Sequence, residues 1–149
     1  MAINQPHTIS PEYLSLDRLA AILDSGAALT LSAESIQLIN HCHQYLTHKL
    51  AQADTPFYGI NTGFGALYNV RISPEDLSEL QHNLVKSHAC GAGSEVPSDV
   101  VRLMLLLKIQ SLAYGFSGIR LEVVERLQLF YNEEVYPVIY QQGSLGASG

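Results

Sequence analysis

The stretch PSDVVRLMLLLKIQSLAYG, residues 97–115, contains the most apolar run of the chain. Its length and composition predict a helix, which we expect to be capped at Ser98. Positions 103–107 are all apolar, so little of the surface of this helix can face water. The pattern therefore predicts a central helix or a helix at a contact between subunits.

The same run is not expected to cross a membrane. Arg102 and Lys108 interrupt it, and it is far shorter than the roughly 20 residues that a spanning helix needs. The amino terminus, MAINQPHTISPEYLS, is polar and lacks the apolar centre of a signal peptide. Cys42 and Cys90 do not suggest a disulfide framework. We therefore expect a cytoplasmic protein.

Helix signals also recur outside this stretch. Ser15 and Gly26 bracket one short helix as cap and stop, and Ser73 followed by Pro74 predicts another helix start. The four further predicted helices lie within residues 15–26, 32–54, 73–93 and 121–132. Strand-like stretches are few, so the predicted class is all-α, and the length suits one domain.

The charge of the chain excludes some partners. The net charge is −6 and the sequence pI is about 5.4, with no cluster of basic residues. This balance argues against nucleic acid and against an anionic membrane surface. A metal site at His41, Cys42 and His43 is also not expected. Residues two apart on a helix point about 200° apart, and His43 lies on the predicted apolar stripe.

Two other segments carry possible site residues. YGINTGFG, residues 58–65, does not have the glycine order of a dinucleotide-binding loop, but it holds the phenol of Tyr58 beside a flexible backbone. NLVKSHACGAG, residues 83–93, places His88 on the predicted buried stripe with Leu77 and Leu84. His88 is then either a core histidine or a histidine that faces an enclosed pocket.

The terminal GSLGASG, residues 143–149, is either a flexible segment or the material for a backbone reaction. If the nitrogen of Gly149 attacks the carbonyl carbon of Ala147, a five-membered ring closes around Ser148. Loss of water gives an imidazolinone, and loss of the Ser148 hydroxyl leaves an exocyclic methylidene. The product is an electrophile that no ordinary side chain supplies.

Taken together, the segments resemble the aromatic amino acid ammonia-lyase family, and within it the histidine ammonia-lyases. The matching segments are FYGINTGFG (residues 57–65), LQHNLVKSHACGAG (80–93), LAYGFSGIR (112–120) and GSLGASG (143–149). The resemblance is strong over residues 57–93 and 111–149 and weak before residue 57.

The resemblance implies the mostly helical ammonia-lyase/aspartase-like superfold with long central helices, assembled as a homotetramer with shared active sites. It implies that residues 1–149 are the N-terminal part of a single catalytic unit, inactive alone. It also implies a 4-methylidene-imidazol-5-one (MIO) cofactor made from Ala147, Ser148 and Gly149, with no metal or nucleotide.

The resemblance further implies a substrate and residue roles. Tyr58 matches the family's essential tyrosine, which would take the β-proton of the substrate. Ser87-His88 matches the pair in histidine-specific members, where phenylalanine lyases resemble Phe-Leu and tyrosine lyases His-Leu. The implied reaction converts L-histidine to trans-urocanate and ammonia.

Other readings of the sequence stay open. The protein could be a tyrosine or phenylalanine ammonia-lyase, or an aminomutase that returns ammonia to the β-carbon. It could also be a non-catalytic helical interaction module whose triad never cyclises.

Overall fold

The structure, a computed structural model, describes residues 5–52, 55–63, 72–73 and 75–143. It divides into two compact units. Unit 1 comprises Met1–Ala51 and Val96–Val138, and unit 2 comprises Gln52–Glu95 and Ile139–Gly149. The expectation of a single catalytic unit concerns a longer protein and stays a prediction.

Five helices make up most of the regular structure in the described residues. They are α1 (Leu16–Ser25), α2 (Ala33–Gln52), α3 (Leu77–His88), α4 (Ser98–Ala113) and α5 (Leu121–Asn132). The predicted mostly helical class is thereby confirmed, and in this part of the chain no helix is long and apolar enough to cross a membrane.

Helix α1 begins and ends where the sequence predicts. The Ser15 hydroxyl accepts a hydrogen bond from the backbone N–H of Arg18 at 3.2 Å, which satisfies one of the free donors of the first turn. Gly26 ends the helix in the left-handed region, at φ 65°. Ser32 caps α2 in the same way, accepting from the backbone N–H of Ser35 at 3.0 Å.

Two predicted helix starts differ from the structure. The cap of α4 is Pro97, not Ser98, and no side chain bonds to the first turn. Ser73 does accept the backbone N–H of Asp76 at 3.2 Å, but it caps a separate turn. Helix α3 begins only at Leu77, so the signals at Ser73 mark the turn before the helix.

In the part of the chain that the structure describes, four short strands form two small sheets. Strands β1 (His7–Ile9) and β2 (Leu29–Leu31) pair in parallel within unit 1. Strands β3 (Gly91–Glu95) and β4 (Tyr140–Gly143) pair antiparallel within unit 2, with Gly91 opposite Gly143. The sequence pattern predicts neither pair, because β3 is mostly glycine and small residues that have low strand propensity.

The hydrophobic core lies in unit 1. Helix α4 contributes its centre, where Leu106 and Ile109 are fully buried. Ile39 of α2, Val124 of α5 and Leu29 of β2 pack in the same cluster. The expectation for α4 is correct for this face only, since Met104 and Leu107 on the other face are each 45% exposed.

Candidate active site

The segment around Tyr58 is a turn held by the side chain of Asn61. The side-chain oxygen Oδ1 of Asn61 accepts a hydrogen bond from the backbone N–H of Phe57 at 2.6 Å. The side-chain nitrogen Nδ2 donates to the backbone carbonyl of Thr55 at 3.2 Å. The backbone of Asn61 continues the bracing, because its carbonyl accepts the N–H of Ile72 at 3.0 Å. Asn61 therefore connects the residues before the turn, Thr55 and Phe57, with Ile72, which follows it in the chain.

Gly59 and Thr62 complete the turn. Gly59 has φ 73°, in the left-handed region that favours glycine. Its N–H donates to the Thr62 hydroxyl at 3.3 Å, and that hydroxyl donates to the carbonyl of Gly63 at 2.9 Å. Thr62 is fully buried, whereas Tyr58 is 64% exposed. The turn thus anchors its polar side chains inward and leaves much of the Tyr58 ring accessible.

The last turn of α3 presents Ser87 and His88. The Ser87 hydroxyl donates to the carbonyl of Leu84 at 3.0 Å. Nδ1 of His88 lies 2.9 Å from that same carbonyl oxygen and 2.9 Å from the Ser87 oxygen. The imidazole is therefore held at Nδ1, and its other nitrogen, Nε2, is the one available to a ligand.

The predicted burial of His88 is wrong for this chain. Leu80 and Leu84 on the same face are only half-buried, and His88 is exposed. The stripe period is that of a buried face, but the described residues of unit 2 leave the end of α3 exposed. Within the described residues, His88 is therefore not a core residue.

Strand β4 leads from the sheet of unit 2 towards the predicted cofactor-forming triad. Gly143, the last residue of β4, lies opposite Gly91, three residues after His88. Tyr140 packs its ring over Gly91, where an added Cβ would lie 2.6 Å from the ring. Ala147, Ser148 and Gly149 lie outside the described residues, so the prediction for them stays a prediction.

The structure separates the histidines of the HCH segment. His43 donates from Nδ1 to the carbonyl of Gly118 at 2.8 Å, whereas His41 is exposed. His41 and Cys42 instead help to line an apolar groove of about 430 Å³ in unit 1. Across the described ranges, no group of three or more His, Cys, Asp or Glu side chains could hold a metal ion.

Asn61, Thr62 and the Leu84 carbonyl bond to the candidate site segments, and the sequence patterns do not single them out. A signal existed for the first two, since Asn and Thr beside glycine are typical of turns that bond to their own backbone. No signal existed for the carbonyl, because every helix residue carries one.

Comparisons with known proteins identify the family of the chain. Residues 14–149 match the protein family described as aromatic amino acid lyase. The chain is 48% identical to the histidine ammonia-lyase of Legionella pneumophila strain Lens over 141 residues, which are 95% of the chain and 28% of that protein. The chain thus spans about 28% of the length of the curated relatives it matches.

Solved structures share the fold. Histidine ammonia-lyase from Trypanosoma cruzi matches with a TM-score of 0.78 at 34% identity, covering 92% of this chain and 26% of that chain. Tyrosine aminomutase from Streptomyces globisporus matches with a TM-score of 0.82 at 29% identity, covering 93% and 26%. Because the family match extends over most of its length, the chain belongs to the aromatic amino acid lyase family.

Proposed function

We propose that the whole protein is an ammonia-lyase that converts L-histidine to trans-urocanate and ammonia. The observation that carries the proposal is the imidazole of His88, held by Ser87 at the end of α3 with Nε2 available. An imidazole can donate a hydrogen bond to another imidazole or accept one from it. A leucine at this position could do neither. The two relatives that are 48% and 49% identical to this chain are named histidine ammonia-lyases.

The electrophile of the proposed enzyme is MIO, formed from Ala147, Ser148 and Gly149. The residue types fit, since Gly149 has an unhindered nitrogen and Ser148 has a hydroxyl that can leave. The pairing of β4 with β3 also supports it, because the segment that carries the triad starts beside the strand that follows His88. When formed, the group supplies an electron sink that makes ammonia a better leaving group.

Tyr58 is the proposed base of the reaction. Its phenolate takes the proton from the β-carbon of histidine, and the electrons of that C–H bond form the Cα–Cβ double bond. The Cα–N bond breaks and its electron pair leaves with nitrogen, so the products are urocanate, ammonia and a protonated Tyr58. The turn braced by Asn61 and Thr62 holds the Tyr58 backbone in place, and positioning of this kind is a substantial part of catalysis.

His88 is the proposed binding residue for the substrate ring, with Ser87 beside it. A buried hydrogen bond between two imidazoles discriminates against a phenyl ring, because the phenyl ring would leave His88 without a partner. This role needs an enclosed pocket. His88 is exposed in this chain, so we propose that the rest of the protein, or another subunit, covers it.

We also propose that residues 1–149 are part of a single catalytic unit that works as a homotetramer in the cytoplasm. The exposed face of α4, with Met104 and Leu107, supports a subunit contact. The two cysteines, Cys42 and Cys90, are both free, which fits a reducing compartment. The chain alone is proposed to be inactive.

The test uses the purified full-length protein. We expect its intact mass to be lower than the mass of the sequence by one water for cyclisation and one for elimination. We expect L-histidine to give urocanate and one equivalent of ammonia, followed by ultraviolet absorbance and chromatography. An unmodified mass together with no turnover would contradict the proposal and favour an interaction module.

Other products would identify other members of the family. Cinnamate from phenylalanine or coumarate from tyrosine, at a higher kcat/KM than urocanate, would identify a phenylalanine or tyrosine lyase. A β-amino acid without net release of ammonia would identify an aminomutase.

A further inference from the structure

Three polar atoms at the end of α3 lie almost equally far from one another. The Ser87 oxygen is 3.0 Å from the Leu84 carbonyl oxygen and 2.9 Å from Nδ1 of His88. Nδ1 of His88 is 2.9 Å from the Leu84 carbonyl oxygen. All three distances are hydrogen-bond distances, so the positions of the hydrogens decide how the triangle is satisfied.

The carbonyl of Leu84 can only accept, and the hydroxyl of Ser87 has one hydrogen, which it donates to this carbonyl. If Nδ1 of His88 carried no proton, its lone pair would face the lone pairs of the carbonyl at 2.9 Å. If Nδ1 is protonated, its hydrogen points between two acceptors, the Leu84 carbonyl and the Ser87 oxygen. The second arrangement leaves no repulsive contact.

We propose that Ser87 and the Leu84 carbonyl fix the proton of His88 on Nδ1, so that Nε2 is a hydrogen-bond acceptor aimed at an N–H group of the substrate ring. The inference rests on the proposed function, in which His88 binds the substrate. Ser87 is then a positioning residue that acts through His88 and does not bind the substrate itself.

This arrangement has a chemical consequence for ligand choice. A neutral imidazole has one donor nitrogen and one acceptor nitrogen, and only one of them can be presented at a time. With the acceptor presented, the site favours aromatic rings that carry an N–H. It disfavours rings of similar size, such as pyridine, whose nitrogen only accepts, because two acceptors would then face each other.

The experiment compares three variants of the full-length enzyme. Ser87→Ala removes the hydroxyl, and Ser87→Thr restores one that can bond to the same carbonyl in a helix. Ser78→Ala is the matched control, since Ser78 is an exposed serine on the same helix and has no assigned role. L-Histidine is the substrate, and pyridylalanines are tested as competing ligands.

We expect the enzyme without these substitutions to prefer histidine over the pyridylalanines. The preference is measured as the ratio of the inhibition constant of the pyridylalanine to the KM of histidine. Ser87→Ala should reduce this preference about fivefold, the effect of losing one hydrogen bond. Ser87→Thr should keep most of the preference, and Ser78→Ala all of it. The melting temperature should stay nearly unchanged in all three, because neither Ser87 nor Ser78 belongs to the hydrophobic core of unit 1.

A second readout observes the tautomer directly. In nitrogen-15 spectra of the neutral imidazole, the protonated nitrogen resonates at a clearly different shift from the unprotonated one. The signal of His88 is identified as the one that is missing in His88→Gln. We expect it to show the proton on Nδ1 in the enzyme without substitutions, and a mixture of the two tautomers in Ser87→Ala.

The outcomes separate this inference from the proposed function. If histidine is turned over but His88 carries its proton on Nε2, or Ser87→Ala leaves the ligand preference unchanged, the tautomer inference is wrong and the proposed function stands. If histidine is not a substrate at all, the proposed function fails first.

Discussion

Different interactions stabilise each of the two units of the molecule. Every buried hydrophobic side chain in the described residues lies in unit 1, where Ile9, Leu29 and Leu106 are completely shielded from water. In unit 2 the side chain of Thr62 is buried, but both strands, β3 and β4, are exposed along their whole length. Among the described residues of unit 2, hydrogen bonds of the backbone and of the turn are the main stabilising contacts.

This difference shows where stability and chemistry are located. Unit 1 contains the packed core, which supplies most of the free energy of folding. All the candidate site residues belong to unit 2, and short-range bonds such as those of Asn61 and Ser87 fix the described ones. Substitutions in unit 2 should therefore change activity with little effect on stability, and substitutions in the core of unit 1 should do the reverse.

The strongest test of this division is Ser148→Ala in the full-length protein. Ser148 is the proposed source of the methylidene, and alanine has no hydroxyl to eliminate. We expect activity to fall by several orders of magnitude, with loss of the near-ultraviolet absorbance of the conjugated ring. Assembly and melting temperature should be unchanged. Retained activity would contradict the proposed chemistry as a whole.

A smaller effect is expected for Tyr58→Phe, which keeps the ring and removes the hydroxyl. Loss of a general base costs about 10²- to 10⁴-fold in rate. We expect this loss mainly in kcat, with a smaller change in KM, because proton transfer occurs only in the transition state. Steady-state kinetics with L-histidine provide the measurement. An unchanged kcat with a raised KM would make Tyr58 a binding residue and place the base elsewhere.

In unit 1 the matched pair is Leu106→Ala and Leu107→Ala, adjacent residues of α4. Leu106 is completely buried, and Leu107 is 45% exposed. We expect Leu106→Ala to lower the free energy of unfolding by about 2–5 kcal/mol. Leu107→Ala should cost about 1 kcal/mol or less where its face is open to water, and as much as Leu106→Ala where the proposed subunit contact covers that face. Denaturant unfolding measures both.

The outcome for Leu107 also tests the proposed subunit contact. An equal cost at both positions in the full-length protein would show that another part of the protein covers the exposed face of α4. In assays at low denaturant concentration, where the protein is folded, both variants should have the KM of the parent enzyme.

His88→Leu is expected to have a moderate effect on substrate choice. Removing its hydrogen bond to the substrate ring should lower kcat/KM for histidine about tenfold. The relative rate with phenylalanine or tyrosine should rise, since no polar group is left unpaired beside those rings. Because His88 lies outside the hydrophobic core of unit 1, the melting temperature should hardly change. A fall in stability at a fixed ratio of kcat/KM values would return His88 to a structural role.

The smallest effect concerns pH and unit 1. Burial, followed by the nearby Arg18 guanidinium, lowers the pKa of His7 from its ordinary value of 6.5. Arg18 also donates to Nδ1 of His7 at 3.3 Å, a bond that requires the neutral ring. The unfolded chain therefore binds this proton at higher pH than the folded chain, and stability falls as pH drops below 6.5.

We expect a slight decrease in melting temperature between about pH 7.5 and about pH 5.5. His7→Gln should show less of it, because glutamine keeps an acceptor for Arg18 but does not titrate. An identical pH dependence in the two proteins would assign the effect to other groups.

Helix boundaries could be predicted from the sequence wherever local signals decide them. Ser15 and Gly26 bracket α1 as expected, and α5 lies within the predicted range. The two sheets could not be predicted, because strands as short as β1 and β2 acquire their partners through contacts far apart in sequence. The predicted burial of His88 failed for a related reason, since a period of 3.6 residues identifies a face but not what covers it.

For the candidate site, the sequence was sufficient to choose Tyr58, Ser87 and His88 by their resemblance to a family. It could not show how they are held. The bracing by Asn61 and the triangle at Leu84 depend on backbone atoms, and backbone atoms have no sequence signature.

Strand β2 has a side chain where a sheet would place another strand. The amide of Asn132 accepts the N–H of Leu29 at 2.7 Å and donates to the carbonyl of the same residue at 3.0 Å. It thereby copies the pair of bonds that a neighbouring strand would make. Free edges are templates for aggregation, and natural proteins block them. By occupying this edge, Asn132 keeps the small sheet of unit 1 from recruiting a strand of another molecule while it joins the end of α5 to the core.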